Sequence, residues 1–436
     1  MIQLIKKQLG YIHPDDKKNR TESLSIVEAK VPSVLVFPLS MHIGSPAEPV
    51  KQIGDKVKIG TVLAKASGKI SAAIHSSVSG EVLAIEKRQT VNGLADCIVV
   101  KNDQKDEKEA FIVKTDKELT REFILDAVQK AGIVGMGGAA FPTVVKLNPP
   151  PGDTIDTVII NGAECEPYST SDHRVMVEFS DEIIKGIQVT RKLFPQLKKI
   201  VIGIEDNKPE AIEALEKASS EYSDISIQSL RTMYPRGSEK NLIQDITGRE
   251  VPTGGLPSAV HCVVMNTSTT RAIYRAALLG EPLYQRIVSV SGTPIAEPKN
   301  LLVRIGTPVD FLIEQCGGFK TRPGKLLSGG PMMGKTLVDG SVPIIKGTTT
   351  INALTFEEAH VGNCSDCIMC SECLNVCPVR LQPILISEAF ERGDIEKAKK
   401  LGAMDCIECG NCSFICPSKI SLLENIRGAK AAIKAK

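Results

Sequence analysis

The stretch "DCIMCSECLNVCPVRLQP", residues 366–383, decides the fold of the last part of this chain. It has the spacing CxxCxxCxxxCP, and "DCIECGNCSFICPSK" at 405–419 repeats that spacing without a change. Two-residue gaps let three thiolates of one loop converge on one face of a cubane, whereas the fourth, followed by a helix-breaking proline, points away. The repeat therefore predicts two neighbouring [4Fe-4S] clusters in a helical ferredoxin domain.

The fourth cysteine of each motif ligates the cluster of the other motif in two-cluster proteins of this kind. We therefore expect one cluster to be held by Cys367, Cys370, Cys373 and Cys416. We expect the second cluster to be held by Cys406, Cys409, Cys412 and Cys377. A pair of zinc sites is the alternative, but zinc has no use for a third and fourth cysteine at these offsets. Cys364 lies outside the repeat and is interpreted as a bystander thiol.

Length and composition describe an ordinary multidomain globular protein. The chain has 436 residues, about three times a typical domain, so we expect three or four domains. A net charge of +2 gives no electrostatic reason to expect nucleic acid binding. The start, "MIQLIKKQLG", has no long apolar region, and no segment reaches the roughly 18 apolar residues that cross a bilayer. We therefore expect a cytosolic chain.

Strand and helix signals alternate in the middle of the chain. "DTVIINGAE" (156–164) and "KKIVIGIED" (198–206) are short apolar runs that end in turn residues, and "DISIQSL" (224–230) is a third. Between them, 180–194 and 208–222 carry apolar residues at helical spacing. Such alternation predicts a mostly parallel sheet with a ligand crevice at the strand ends.

A glycine-rich loop, "AGIVGMGGAAFPTVVKL" (131–147), precedes the first of these strands. Its glycines let the backbone approach a ligand closely, with amides free to cradle phosphate, and a lysine supplies positive charge nearby. The following strand ends in the acidic loop "NGAECEPYSTSDHR" (161–174), whose carboxylates can accept hydrogen bonds from ribose hydroxyls or a carboxamide. The structural alternatives are a simple turn and a solvated loop.

These motifs resemble those of a known family. GMGGAAFPTVVKL and NGAECEP resemble the GRGGAGFPTGLKW and NGDESEP motifs of the flavin-bearing, NADH-binding subunit of respiratory complex I. The segments 234–257 and 263–292 resemble the corresponding flavin-loop and helical segments. The order of segments along nearly the whole chain resembles that of the RnfC subunits of Rnf electron transport complexes.

The resemblance implies a multidomain α/β and α+β fold. It predicts a β-rich barrel-sandwich hybrid domain at 1–115 and a Rossmann-like FMN/NADH-binding domain at 116–280. A β-grasp (soluble ligand binding) domain follows at 281–345, and a C-terminal helical ferredoxin domain with two [4Fe-4S] clusters at 346–436. The β-grasp domain is expected to pack between flavin and clusters.

The resemblance also implies the residues of a cofactor site. It implies an FMN loop and its lysine at Gly135, Gly137, Gly138 and Lys146. It implies contacts to the flavin ring and ribityl chain from Asn161, Glu164, Tyr234, Gly237, Glu239 and Asn266. It implies contacts to the dinucleotide NAD(H) from Phe141 and Glu166. No catalytic side chain is predicted.

The implied function is that of a ferredoxin:NAD⁺ oxidoreductase subunit. NADH gives a hydride whereas an iron–sulfur cluster takes one electron, so a flavin must stand between them. The expected partners are NAD(H), membrane-integral and other subunits of an ion-translocating complex and, indirectly, ferredoxin. The expected location is peripheral, on the cytoplasmic side of the membrane.

Two other functions stay open from the sequence. One is a soluble flavin and iron–sulfur NADH dehydrogenase such as a cobalamin reductase, although those proteins carry their clusters before the β-grasp segment. The other is a non-catalytic electron-transfer adaptor, because four positions depart from the complex I motifs. These positions are Met136, Ala163, Ser238 and Met265.

Overall fold

The computed structural model describes residues 10–359 and 362–435. The first nine residues, on which part of the targeting prediction depends, lie outside the described residues. In the ranges that are described, no helix is both long enough and apolar enough to span a bilayer.

Two small antiparallel sheets form the N-terminal module. Its strands are β2 (Val34–Pro38), β3 (Glu48–Pro49), β4 (Lys56–Val57), β5 (Val62–Lys65), β6 (Ile74–His75), β7 (Gly80–Thr90) and β8 (Gly93–Asn102). The first sheet has the order β2-β8-β7-β4 and the second β3-β5-β6. Leu35, Phe37, Leu63 and Ile98 are buried between them. This is the predicted barrel-sandwich.

A four-stranded, fully parallel sheet forms the second module. Its strands are β9 (Thr157–Gly162), β10 (Lys199–Glu205), β11 (Ile225–Leu230) and β12 (Cys262–Asn266). They lie in the order β11-β10-β9-β12. The helices are α1 (Arg121–Lys130), α2 (Thr143–Leu147), α3 (Ser171–Glu178), α4 (Ser180–Arg191), α5 (Pro209–Ala218), α6 (Glu239–Thr247) and α7 (Thr267–Leu279). The predicted alternation of strands and helices is confirmed.

The strand order of this module creates the ligand crevice. The chain leaves β9 for β10 on one side and returns later to β12 on the other, so the loops after β9 and β12 diverge at the carboxyl edge. Asn161 and Asn266 occupy paired positions at the ends of these two strands. The site described below lies above this edge.

A six-stranded mixed sheet forms the third module. It contains β1 (Ile26–Glu28), β13 (Gln285–Gly292), β14 (Lys299–Arg304), β15 (Lys325–Ser328), β16 (Lys335–Thr336) and β17 (Thr350–Leu354), with α8 (Val309–Gln315). The order is β1-β14-β13-β17-β15-β16. Two of its strands, β1 and β17, come from outside the range 281–345 assigned to this domain from the sequence. Strand pairing, which is a long-range property, recruits them.

Short helices form the last module. They are α9 (Glu372–Asn375), α10 (Pro383–Glu391), α11 (Ile395–Lys400), α12 (Asn411–Ile415) and α13 (Leu422–Ala435). Gly393, with φ +73°, lies in the short connection between α10 and α11. Ile386, Ala398 and Ile426 lie in the module's apolar core.

Candidate functional site

One cavity of about 580 Å³ lies above the carboxyl edge of the parallel sheet. This volume is within the range of small-molecule sites. Eleven of the twelve residues predicted to contact flavin or dinucleotide line it: Gly135, Gly137, Phe141, Lys146, Asn161, Glu164, Glu166, Tyr234, Gly237, Glu239 and Asn266. Gly138 is not among the lining residues, and it is exposed with φ +115°. The glycine loop, the acidic loop and the flavin-loop segment therefore meet in space.

Lys146 brings a positive charge to the cavity wall. It lies on α2, directly after the glycine loop, and its ammonium group donates to the carboxylate of Glu239 and, at 2.9 Å, to the carbonyl oxygen of Val264. A Cβ at Gly137 would meet nothing closer than the Asn266 side chain at 3.5 Å. Because the fold leaves this space free, the glycine backbone is accessible to a phosphate-bearing ligand.

The carboxylate of Glu164 lies in the cavity wall, but its hydrogen bonds are made to other groups of the protein. It accepts hydrogen bonds from Ser169 Oγ (2.7 Å), Asp172 N (3.0 Å) and His173 N (3.0 Å), which places it at the N-terminus of α3. Burial alone would raise the pKa of Glu164, but Lys18, Lys208 and these donors together lower it. The predicted flavin contact of this residue thus competes with a helix cap.

Glu166 connects the cavity to the third module. Its two carboxylate oxygens accept hydrogen bonds from the backbone amides of Met332 (3.2 Å) and Met333 (2.8 Å). Gly330 packs so closely that a Cβ there would lie 2.2 Å from Glu166 Oε2. Burial raises the pKa of Glu166 to about 7, although the two amides and Lys18 oppose the rise.

The elevated pKa of Glu166 predicts a pH-dependent stability. The folded chain keeps its proton above the ordinary value of 4.5, so stability should fall as pH rises from about 4.5 to about 7. A rise from 4.5 to about 7 corresponds to on the order of 3 kcal/mol. Glu166→Gln should therefore have a flatter profile than the native chain in urea unfolding at pH 5 and pH 8.

Glu164→Gln is the matched control for this prediction. Because the pKa of Glu164 is lowered, its charge stabilises the folded state at neutral pH, so removing that charge should destabilise the chain at pH 8. Equal pH profiles for the native chain and Glu166→Gln would contradict the prediction.

Several residues of this region carry no clear signal in the sequence. Lys18 is buried and donates to the carbonyl oxygens of Glu166 (2.8 Å) and Ser169 (2.6 Å), under the acidic loop. Asp172 lies in the cavity wall, accepts from Asn266 Nδ2 at 2.6 Å, and has a pKa that burial and Glu164 raise to about 6. Lys18 is about 150 residues away along the chain, so only the fold brings it here.

The cysteines fall into two sets that cross the motifs. Burial raises the pKa of Cys373, and nearby Cys416, Cys367 and Cys370 raise it further. Burial also raises the pKa of Cys409 to about 12 and that of Cys412 to about 12, with Cys406 and Cys377 among the neighbours that contribute. Each set therefore contains three thiols of one motif and the fourth of the other. Crossed ligation requires the same grouping.

The two motifs also have the same backbone shape. Met369 and Ser371 in the first motif and Glu408 and Gly410 in the second all have positive φ. The glycine replaces serine because a Cβ at Gly410 would lie 2.6 Å from the carbonyl oxygen of Met332. Across residues 10–359 and 362–435, no group of three or more His, Cys, Asp or Glu side chains is arranged to hold a single metal ion.

The second motif borders the cavity directly. Ile407 and Cys409 line it together with the flavin-loop residues. Cys377, Cys409 and Cys412 are buried, whereas Cys367 and Cys370 are exposed. The first set of thiols thus reaches the cavity through Cys409, and the other set is open to solvent at Cys367 and Cys370.

The remaining cysteines lie outside the two sets of thiols assigned to the clusters. Cys97, Cys262 and Cys316 are buried, as small apolar residues would be, and Cys364 is exposed. Cys165 lies in the cavity wall, where burial and Glu205 raise its pKa far above the ordinary value. It is therefore protonated and poorly suited to act as a nucleophile.

Four family models match this chain. They are the RnfC barrel sandwich hybrid domain (residues 7–105), the Nuo51 FMN-binding domain (128–275), the SLBB domain (287–336) and the 4Fe-4S dicluster domain (355–420). These matches confirm the predicted fold class, and they confirm FMN and two iron–sulfur clusters as the cofactors.

Relatives match over most of the chain. The C subunit of the proton-translocating ferredoxin:NAD(+) oxidoreductase complex of Clostridium ljungdahlii is 45% identical, covering 91% of this chain and 87% of the relative. The C subunit of the Na(+)-translocating ferredoxin:NAD(+) oxidoreductase complex of Acetobacterium woodii is 43% identical, covering 97% and 96%. Among solved structures, an NAD⁺-reducing [NiFe]-hydrogenase in the H2-reduced state is 17% identical, with a TM-score of 0.49, and the match covers 72% of this chain and 62% of that chain.

Sequence identity at this level, over most of this chain and of each relative, shows descent from a common ancestor. Together with the barrel-sandwich match at the N-terminus, it means that this chain belongs to the RnfC family, whose members are the C subunits of ion-translocating ferredoxin:NAD⁺ oxidoreductase complexes.

Proposed function

We propose that this chain exchanges hydride between NAD(H) and FMN and passes single electrons through two [4Fe-4S] clusters, as a subunit of a membrane-bound ferredoxin:NAD⁺ oxidoreductase complex. The observation that carries the proposal is a single cavity whose wall contains both the predicted flavin residues and Cys409 of the second cysteine motif. The two relatives named above belong to complexes with that reaction in their names.

The chain's own residues have distinct tasks in this proposal. FMN, when bound, exchanges hydride with a nicotinamide and single electrons with iron–sulfur clusters. Lys146, oriented by Glu239, offers positive charge to the phosphate end, and Gly137 leaves the backbone open to it. Phe141 and Glu166 line the same cavity and are assigned to the dinucleotide.

The order of electron carriers follows from burial. The thiols of Cys377, Cys409 and Cys412 are buried and Cys409 lines the cavity, so the cluster they hold is assigned as the first acceptor from flavin. The thiols of Cys367 and Cys370 are exposed, so the other cluster is assigned to exchange electrons with a partner. The expected position of the β-grasp domain is supported by its loop at 332–333, since Met333 lines the cavity and Met332 packs against Cys409.

We also propose the partners and the location. The chain is assigned to the cytoplasmic side of the membrane as a peripheral subunit, bound to membrane-integral and other subunits and linked through them to ferredoxin. The domain ranges 1–115, 116–280, 281–345 and 346–436 belong to the same proposal. Co-purification of the chain with membrane subunits tests this part, and a fully active monomer in the soluble fraction would favour the cobalamin-reductase type of function.

Anaerobic addition of NADH to the purified chain tests the reaction. We expect the flavin absorbance to bleach and the EPR signals of reduced clusters to follow. Lys146→Met should lower the bound flavin, because it removes the charge aimed at the cavity. Lys185→Met is the matched control, since Lys185 lies on α4 over the Tyr274 ring and outside the cavity wall. Flavin colour that survives excess NADH and NADPH would identify an adaptor instead.

A further inference from the structure

Tyr234 joins the flavin cavity to the iron–sulfur module. It lies between β11 and α6, is 1% exposed, and lines the cavity. Its hydroxyl group donates a hydrogen bond to the carbonyl oxygen of Cys409 at 2.7 Å. The resemblance to complex I implies a flavin contact for this tyrosine. Its hydroxyl group, however, forms its hydrogen bond with the backbone of a cysteine that is assigned to a cluster.

The surroundings of this hydrogen bond are mostly apolar. Tyr234 and Cys409 pack in one apolar cluster with Ile12, Met332 and Val376. The partner of the Tyr234 hydroxyl group is a carbonyl oxygen, which can only accept, so the hydroxyl group acts as the donor. Loss of the donor would cost free energy, because it removes a hydrogen bond from a buried acceptor.

The N-terminal segment holds the tyrosine from the other side. Ile12 N donates to Tyr234 O and Tyr234 N donates to Ile12 O, each at 2.9 Å. Two residues earlier, Gly10 N donates to Asn375 O at 2.9 Å, close to Cys377. The backbone of Tyr234 is therefore tied to the same set of thiols as its hydroxyl group.

We propose that Tyr234 is a positioning residue that tunes the reduction potential of the cluster assigned to Cys377, Cys406, Cys409 and Cys412. The negative end of the Cys409 carbonyl disfavours an added electron on that cluster, and the donated hydrogen bond offsets this effect. Hydrogen bonds and solvent exposure around the ligands set cluster potentials in general. The inference rests on the proposed crossed ligands and extends the proposed electron path.

An EPR-monitored redox titration of the anaerobic full chain tests the proposal. In Tyr234→Phe we expect the midpoint potential of one cluster to fall and that of the other to stay where it is. Ser418→Ala is the matched control, because buried Ser418 Oγ donates to the carbonyl oxygen of Asp366 at 2.9 Å, beside Cys367. It should shift the other cluster alone. No shift in Tyr234→Phe, or equal shifts of both clusters, would overturn the proposal.

A second variant keeps the test decisive if Tyr234→Phe loses iron. Site-specific 3-fluorotyrosine at position 234 preserves the ring and the hydroxyl group but is a stronger donor, so the same cluster should shift to higher potential. An unchanged potential there would overturn the inference. Native protein without two clusters would instead refute the proposed function, so the two failures are distinguishable.

Discussion

Cys377→Ala is expected to lower the iron content from about eight to about four atoms per chain, with loss of the cluster assigned to the second motif. The physical reason is the crossed arrangement, in which Cys377 neighbours the thiols of Cys406, Cys409 and Cys412. A cubane left with three thiolates has an open iron site and is readily lost. Iron and sulfide analysis under anaerobic conditions measures the effect.

Double variants decide which motif shares a cluster with Cys377. If ligation is crossed, Cys377→Ala combined with Cys406→Ala removes one cluster only and leaves about four irons, whereas Cys377→Ala combined with Cys367→Ala removes both. Uncrossed ligation predicts the reverse. Cys364→Ala is the matched control, because this exposed thiol lies outside both sets and its removal should leave the iron content unchanged.

Gly237→Ala is expected to abolish stoichiometric flavin binding. A Cβ at this position would lie 2.3 Å from the carbonyl oxygen of Ala163, which is backbone and has little freedom to retract. The contact joins the flavin-loop segment to the acidic loop, where Asn161 Nδ2 also donates to Gly237 O at 2.9 Å. Overpacking of this kind costs about 1–3 kcal/mol or more, and here it would separate two walls of the cavity. Bound flavin per chain and the melting temperature measure it.

Gly137→Ala is the comparison for this prediction. Its added methyl group would make only ordinary contacts, the nearest at 3.5 Å, so the melting temperature of the flavin-free chain should stay native. Flavin affinity should still fall, because the methyl group occupies the space left for the ligand. A Gly237→Ala chain with native flavin content and native melting would contradict the proposed architecture of the site.

Local patterns were sufficient for much of the fold. Period-3.6 apolar spacing in 180–194 and alternation of short strands with helices predicted the parallel module, because backbone hydrogen bonding and burial act over a few residues. The boundary of the third module was harder, since β1 (Ile26–Glu28) joins β14 from more than 250 residues away. Pairing of that kind leaves no trace in the local pattern.

The sequence alone determined the cluster chemistry, because cysteine spacing within one loop dictates how many thiolates can reach one cubane. It also indicated the residues that come together in the cavity, because their motifs resemble those of the complex I subunit. Only the tertiary structure decided that Glu164 caps α3, that buried Lys18 lies under the acidic loop, and that Tyr234 donates to Cys409. These contacts join residues far apart along the chain, and the packing of separate modules brings them within hydrogen-bonding distance.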